Sequence, residues 1–287
     1  MIEKDFATKE ELHRYIVDNK EKLNRMKKAA VKHTDAIDFI PVKLIDKSDE
    51  ADKAEDSEGI ETPEEGTLNV TVAINTTNII DSHYDMHVKG IWNRSVFLNP
   101  KTMHLQEHQR TFDHIISDEA VPMVKTMSWK ALGMPYEGKT QVLIFQSPVK
   151  EERNEFMYEQ YKKGWVKQHS VGMRYVDYVW CINSEEKWAA EEKANWDKYY
   201  PMAVNPEVAD EYGYFCAVLE AKFIEGSAVV FGSNSATPTL SVKGHNSATT
   251  LEAKGSEHVE DETESDEVKP DKVGHSRFIL KKSFKLE

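Results

Sequence analysis

With 50 acidic against 37 basic residues in 287, the chain carries a formal net charge of -13, which disfavours nonspecific attraction to nucleic-acid phosphates or to an anionic membrane surface. Two cysteines are too few for a disulfide scaffold, and the leading Met1-Ile2-Glu3-Lys4-Asp5-Phe6 has neither the basic nor the apolar region of a signal peptide. No apolar run approaches the roughly 20 residues that a bilayer requires, so the expectation is a cytosolic, reduced protein whose partners are other proteins.

From Ala7 to about Lys32 the pattern is helical. Thr8-Lys9-Glu10-Glu11 has the form of a capping box, and Leu12, Ile16, Leu23 and Met26 fall on one apolar stripe. Residues 46–66 are nearly all Asp, Glu, Lys, Ser and Gly, too poor in apolar surface to offset the entropy of ordering, and read as an acidic linker. Leu68, Val70, Val72 and Ile74 then alternate with Asn69, Thr71 and Ala73, the period-two signature of a strand with one face on a core. Gln141 to Phe145, Met173 to Ile182 and Tyr214 to Ile224 read as further strands, and Glu151 to Lys163 and Glu185 to Tyr199 as helices. After Ser241 the chain returns to Ser, Thr, Glu, Asp and Lys, a composition that predicts disorder. Its last stretch, Arg277 to Lys285, is a basic and apolar patch suited to docking on a protein surface. The predicted organisation is a helical segment over 1–45, the linker 46–66, a folded α+β domain over 67–242 and a disordered acidic tail over 243–287.

The chemistry-bearing stretches are His104-Leu105-Gln106-Glu107-His108 and, about sixty residues later, Lys167-Gln168-His169-Ser170-Val171-Gly172-Met173. A serine hydroxyl is a weak nucleophile at neutral pH and needs a neutral imidazole in hydrogen-bond reach, itself oriented by a third group. Ser170 and His108 are the candidates for nucleophile and base. His169 adjoins Ser170, but neighbours on a strand point to opposite faces, so it reads as a packing or surface residue.

These blocks resemble the prohead (capsid maturation) serine proteases of tailed bacteriophages, relatives of the herpesvirus assemblins. Asp81-Ser82-His83-Tyr84-Asp85-Met86-His87-Val88-Lys89-Gly90-Ile91-Trp92 is similar to that family's early block, Leu105-Gln106-Glu107-His108 to its histidine block, Gly164 to Met173 to its serine block, and Leu219-Glu220-Ala221-Lys222-Phe223-Ile224 to its last, acid-bearing strand. The four stand in the family's order between about Leu68 and Val242.

The resemblance implies Ser170 as nucleophile, His108 as general base and Glu220 as the group that orients it, on an assemblin-like, mostly antiparallel β-barrel flanked by helices. If Glu220 faces solvent, His114 or His104 is the alternative partner. The implied substrates are the major capsid protein, the scaffold and the protease itself, cleaved inside the immature prohead in the host cytoplasm, with no cofactor and no metal. Assemblins are activated by dimerisation, so a homodimer is a further expectation. Two other readings compete. His104, Glu107 and His108 also satisfy the inverted zinc-protease pattern H-x-x-E-H, which requires a helix to bring both imidazoles onto one face. The helical and acidic flanks fit a capsid scaffolding protein without catalysis.

Overall fold

The computed structural model describes residues 5–31, 63–244 and 278–279. The linker expected over 46–66 lies outside them apart from 63–66, as does the tail apart from 243–244 and 278–279. In chain order the elements are β1 (Asp5–Phe6), α1 (Lys9–Asp18), α2 (Lys20–Ala29), β2 (Thr67–Thr76), β3 (Asp85–His87), α3 (Asn93–Leu98), β4 (Thr102–Gln106), β5 (Ile115–Ser128), β6 (Lys139–Lys150), α4 (Glu155–Lys162), β7 (Gln168–Ile182), α5 (Ala190–Tyr199), α6 (Glu207–Tyr212), β8 (Tyr214–Val229), β9 (Thr239–Gly244) and β10 (Phe278–Ile279). No helix among the described residues is long and apolar enough to cross a membrane.

The predicted N-terminal helix is two helices. Thr8 caps α1, its hydroxyl accepting from the Glu11 N–H at 3.1 Å, while the Glu11 carboxylate reaches back to the Ala7 N–H at 2.9 Å. The pattern breaks at Asn19, which leaves the helical region at φ -109 and ψ 13 and starts α2. β10 pairs with β1, so the only described part of the C-terminal patch lies against the start of this segment.

β8 is the strand at which the sheet branches. Along one edge it pairs antiparallel with β7, from Gln168↔Val229 to Ile182↔Tyr214. Along the other it pairs parallel first with β3 and then with β4. From β4 the sheet continues through β5, β6, β2 and β9, each pair antiparallel. The result is a mixed α and β fold built on one large, mostly antiparallel sheet. It is not the closed barrel expected from the resemblance: among the described residues the β7 and β9 sides share no ladder, only the isolated bridge Gln168↔Pro238. Pro238 has no N–H to extend a ladder there, and the chain beyond it pairs with β2 instead.

The main core lies under α1, α2 and α4 and gathers Leu12, Ile16, Leu143, Phe145, Tyr161, Met173 and Phe223. A second cluster, with Trp129, Val142 and Ile144, covers the other side of β6. That strand is therefore buried on both faces, which explains its unbroken apolar run Val142-Leu143-Ile144-Phe145. A third cluster packs Trp196 and Tyr199 of α5 over Cys181 and Phe215.

Candidate active site

Ser170 lies near the start of β7, directly across the ladder from Ser227 of β8, and two residues further on Gly172 faces Glu225. Opposed residues of an antiparallel pair share a face, with Cβ atoms about 5 Å apart, and residues two apart on a strand share it too. Ser170, Gly172, Glu225 and Ser227 therefore stand together on one face of the β7–β8 pair. Between Gly172↔Glu225 and Met173↔Phe223 the register shifts, leaving Ile224 as an extra residue in β8. This bulge sits beside the site, where bulges commonly re-aim a side chain.

His108 arrives from the opposite edge of β8. β4 runs parallel to β8 up to Gln106↔Ala228, and the Glu107 N–H continues the pairing to the Ala228 carbonyl at 2.9 Å. The backbone then turns through two consecutive left-handed residues, Glu107 at φ 50 and His108 at φ 57. Neither is glycine, so each costs on the order of 1–2 kcal/mol. β8 and the residue after it provide the offsetting bonds: the Glu107 carboxylate accepts from the Val230 N–H at 3.1 Å, and the His108 N–H donates to the Ser227 hydroxyl at 3.3 Å. The turn folds the imidazole back over the face that carries Ser170.

Held this way, His108 places Nδ1 2.7 Å from the Glu225 carboxylate, in the range of a charge-assisted bond. A carboxylate can only accept, so Nδ1 carries the hydrogen and Nε2 of the neutral ring keeps its lone pair. The second Glu225 oxygen accepts from the Ser227 hydroxyl at 2.6 Å. Ser227 thus ties the Glu225 carboxylate to the backbone of His108. Glu225 is 2% exposed and Ser170 4% exposed, so both lie in a largely dry environment.

Gly172 has a role the sequence did not reveal. A Cβ there would lie 1.9 Å from the Glu225 carboxylate oxygen that accepts from His108. The missing side chain is the space the acid occupies.

Glu220 is not beside His108. It lies five residues away from Glu225 on the same strand, pairing with Arg94 at 3.1 Å on an exposed surface. His114 bonds the Thr111 hydroxyl at 2.7 Å on the surface, and His104 is fully buried elsewhere. The group that orients His108 is therefore Glu225, not Glu220 or either histidine. Sequence offered one signal for it, the run Glu225-Gly226-Ser227 at the end of an apolar strand.

His104 and His169 belong to a separate buried network. Nδ1 of His169 donates to the Thr237 carbonyl at 3.1 Å, so its Nε2 accepts from the Tyr161 hydroxyl at 2.9 Å. The Tyr161 oxygen accepts from His104 Nε2 at 3.1 Å, and His104 Nδ1 accepts from the Ser147 hydroxyl at 3.0 Å. Burial lowers the pKa of His169 to about 4 and pushes that of His104 well below the ordinary imidazole range, assisted there by the neighbouring His169. Both rings are neutral and structural. The inverted zinc motif is split by this arrangement, because β4 is a strand and His104 is already engaged on the other side of the sheet. Among the described residues no group of three or more His, Cys, Asp or Glu side chains could hold a metal ion.

The early block is held by hydrogen bonds of its own side chains and of Asn75. One Asp81 oxygen accepts from the N–H groups of His83 and Asp85 at 2.8 and 3.0 Å. His87 Nδ1 and Trp92 Nε1 donate to the Asn75 amide oxygen at 3.0 and 3.1 Å. No family model matches the chain, and comparison with curated proteins and with solved structures returns no match.

Proposed function

We propose that the chain is a serine endopeptidase in which Ser170 is the nucleophile, His108 the general base and Glu225 the acid that orients it. The observation that carries this reading is the His108–Glu225 bond, made by a base whose backbone sits in a strained turn beside Ser170. Ser170 attacks a peptide carbonyl while His108 Nε2 takes its proton. The imidazolium formed lies against Glu225, then gives the proton to the leaving amine, and water hydrolyses the acyl-enzyme. Val230 and Phe231, exposed directly beyond β8, offer apolar surface to the side chains of an extended peptide.

The resemblance to prohead proteases extends the proposal to capsid maturation. The substrates would be the scaffold or the N-terminal segment of the major capsid protein, and the chain itself within residues 46–66 and 244–276. Intact-mass spectrometry of the full-length protein and its Ser170→Ala variant, alone and with the capsid protein, tests it. Fragments present with the first and absent with the second are expected. Identical masses, without capsid processing by either, would refute it and favour the scaffolding reading.

A further inference from the structure

α2 carries a buried lysine against an acid and three aromatic rings of the folded domain. Lys27 of α2 is 4% exposed, and its ammonium forms an ion pair with Asp85, which is itself fully buried. The rings of Tyr175, Tyr178 and Trp180 surround Nζ at 5.4, 5.8 and 5.5 Å from their centroids, within cation–π range. All three rings come from β7. Register shifts on either side of Asp177 bring Tyr175 to the same side as Tyr178 and Trp180, although odd and even positions of a regular strand face apart. Tyr175 also donates to Asp85 at 2.7 Å. A buried acid, with three aromatic rings around the position that the ammonium takes, is a receptor for an alkylammonium group.

The contacts around this anchor are equally specific. The Asn24 amide oxygen accepts from Tyr178 Oη at 2.9 Å and from Trp180 Nε1 at 2.8 Å. His13 Nε2 donates to the Tyr212 carbonyl at 2.8 Å, and its ring approaches Gly213 so closely that a Cβ there would stand 3.0 Å away. Lys20 reaches Glu191 and Glu192, each at 2.8 Å. Leu12, Ile16 and Leu23 join the main core. Helices of ten residues are too short to be stable alone in water, so these two are formed by the surface that receives them.

We infer that residues 5–31 are a ligand of the folded domain, held by its lysine receptor and not by the covalent connection through 32–62. Scission of that connection leaves the segment bound as a non-covalent subunit. This does not depend on the proposed peptidase activity. Where self-cleavage does occur within 46–66, it yields a nicked two-chain protein instead of releasing the helices.

The test uses the full chain in the Ser170→Ala background, with a recognition sequence for a site-specific protease inserted after Glu55. After cutting, the 1–55 fragment is expected to co-elute with 56–287 at micromolar concentration, and native mass spectrometry to give their summed mass. Separate elution would overturn the inference. A labelled peptide of residues 1–35 then exchanges into the nicked protein, which avoids folding a mutated domain. An unlabelled Lys27→Met peptide is expected to compete at least about 100-fold less well than the unaltered one, because it leaves Asp85 buried without its counter-ion. Asn24→Ala is expected to weaken competition about 10-fold through two lost hydrogen bonds. Equal competition by the Lys27→Met peptide would refute the lysine receptor.

Discussion

Replacing Gly172 by alanine is the sharpest test of how the acid is held. The new Cβ would lie 1.9 Å from a Glu225 oxygen, and an ordinary contact begins near 3.4 Å, so the carboxylate must retreat by about 1.5 Å. That is enough to carry the 2.7 Å bond to His108 beyond the roughly 3.2 Å limit of a hydrogen bond. A displacement of about 1 Å in a catalytic constellation can reduce rate about 100-fold, and loss of the orienting acid in other triads costs about 10,000-fold. The expectation for Gly172→Ala lies between these limits. An organofluorophosphonate, which reacts with an activated serine, measures it through the rate of Ser170 modification without knowledge of the natural substrate. Gly226→Ala supplies the contrast, because a Cβ there meets Phe145 at 2.6 Å and Ile74 at 2.8 Å in the core. It is expected to lose about 1–3 kcal/mol of stability by overpacking while its folded fraction reacts normally. Wild-type modification rates in Gly172→Ala would refute the reasoning.

Glu225→Gln is expected to slow Ser170 modification about 10,000-fold, whereas Glu220→Gln, which alters an exposed pair with Arg94, should leave both rate and stability within about 0.5 kcal/mol of the parent; the reverse order would restore Glu220 as the orienting acid. Stability should fall on acidification. His169 stays neutral in the folded chain down to about pH 4 but protonates near 6.5 when unfolded, so the unfolded state binds the extra proton between those values. Its contribution is complete above pH 6.5 and is lost towards pH 4, by up to about 1.4 kcal/mol per pH unit, with His104 acting in the same direction. Urea midpoints unchanged between pH 7 and 5, or a His169→Asn variant with an undiminished slope, would contradict this. In the intact chain Lys27→Met should destabilise by about 3–5 kcal/mol, and adding Asp85→Asn should recover part of the loss; additive effects in the double variant, measured by denaturant unfolding, would show that the two residues are not coupled.

The sequence announced β2 by its alternation and β6 by an unbroken apolar run that is buried on both faces. β2 alternates clearly, and the observed range Thr67–Thr76 extends the predicted run by a residue or two at each end. β4 offered only the short alternation Met103-His104-Leu105-Gln106, which reads as an extended piece, and β5 contains Pro122, which normally argues against a strand interior. Ser170 and His108, the proposed nucleophile and base, could be singled out because a hydroxyl and an imidazole are chemically distinctive groups. Glu225 was not, because its neighbourhood depends on the parallel β4–β8 pairing and on three register shifts along β7–β8, which defeat counting by twos from Glu220. Lys27 carried no signal, since nothing local to α2 reveals an acid 58 residues away that is buried with it. The left-handed turn at Glu107 and His108 was equally silent, because no glycine marks it.

The chain of bonds from Thr237 to Ser147 has only one way to arrange its hydrogens. The Thr237 carbonyl can accept but never donate, which assigns the His169 tautomer. That assignment fixes the direction of the Tyr161 hydroxyl, then the His104 tautomer, then the Ser147 hydroxyl. A backbone atom preceding β9 thereby dictates the polarity of a side chain on β6, through groups carried by β7, α4 and β4. With no alternative ordering of similar energy the network cannot reverse, and it cannot relay a proton by the flip that reversal would require. It acts as an insulated strut across the interior, and the imidazole next in sequence to Ser170 stays outside any proton traffic at the serine.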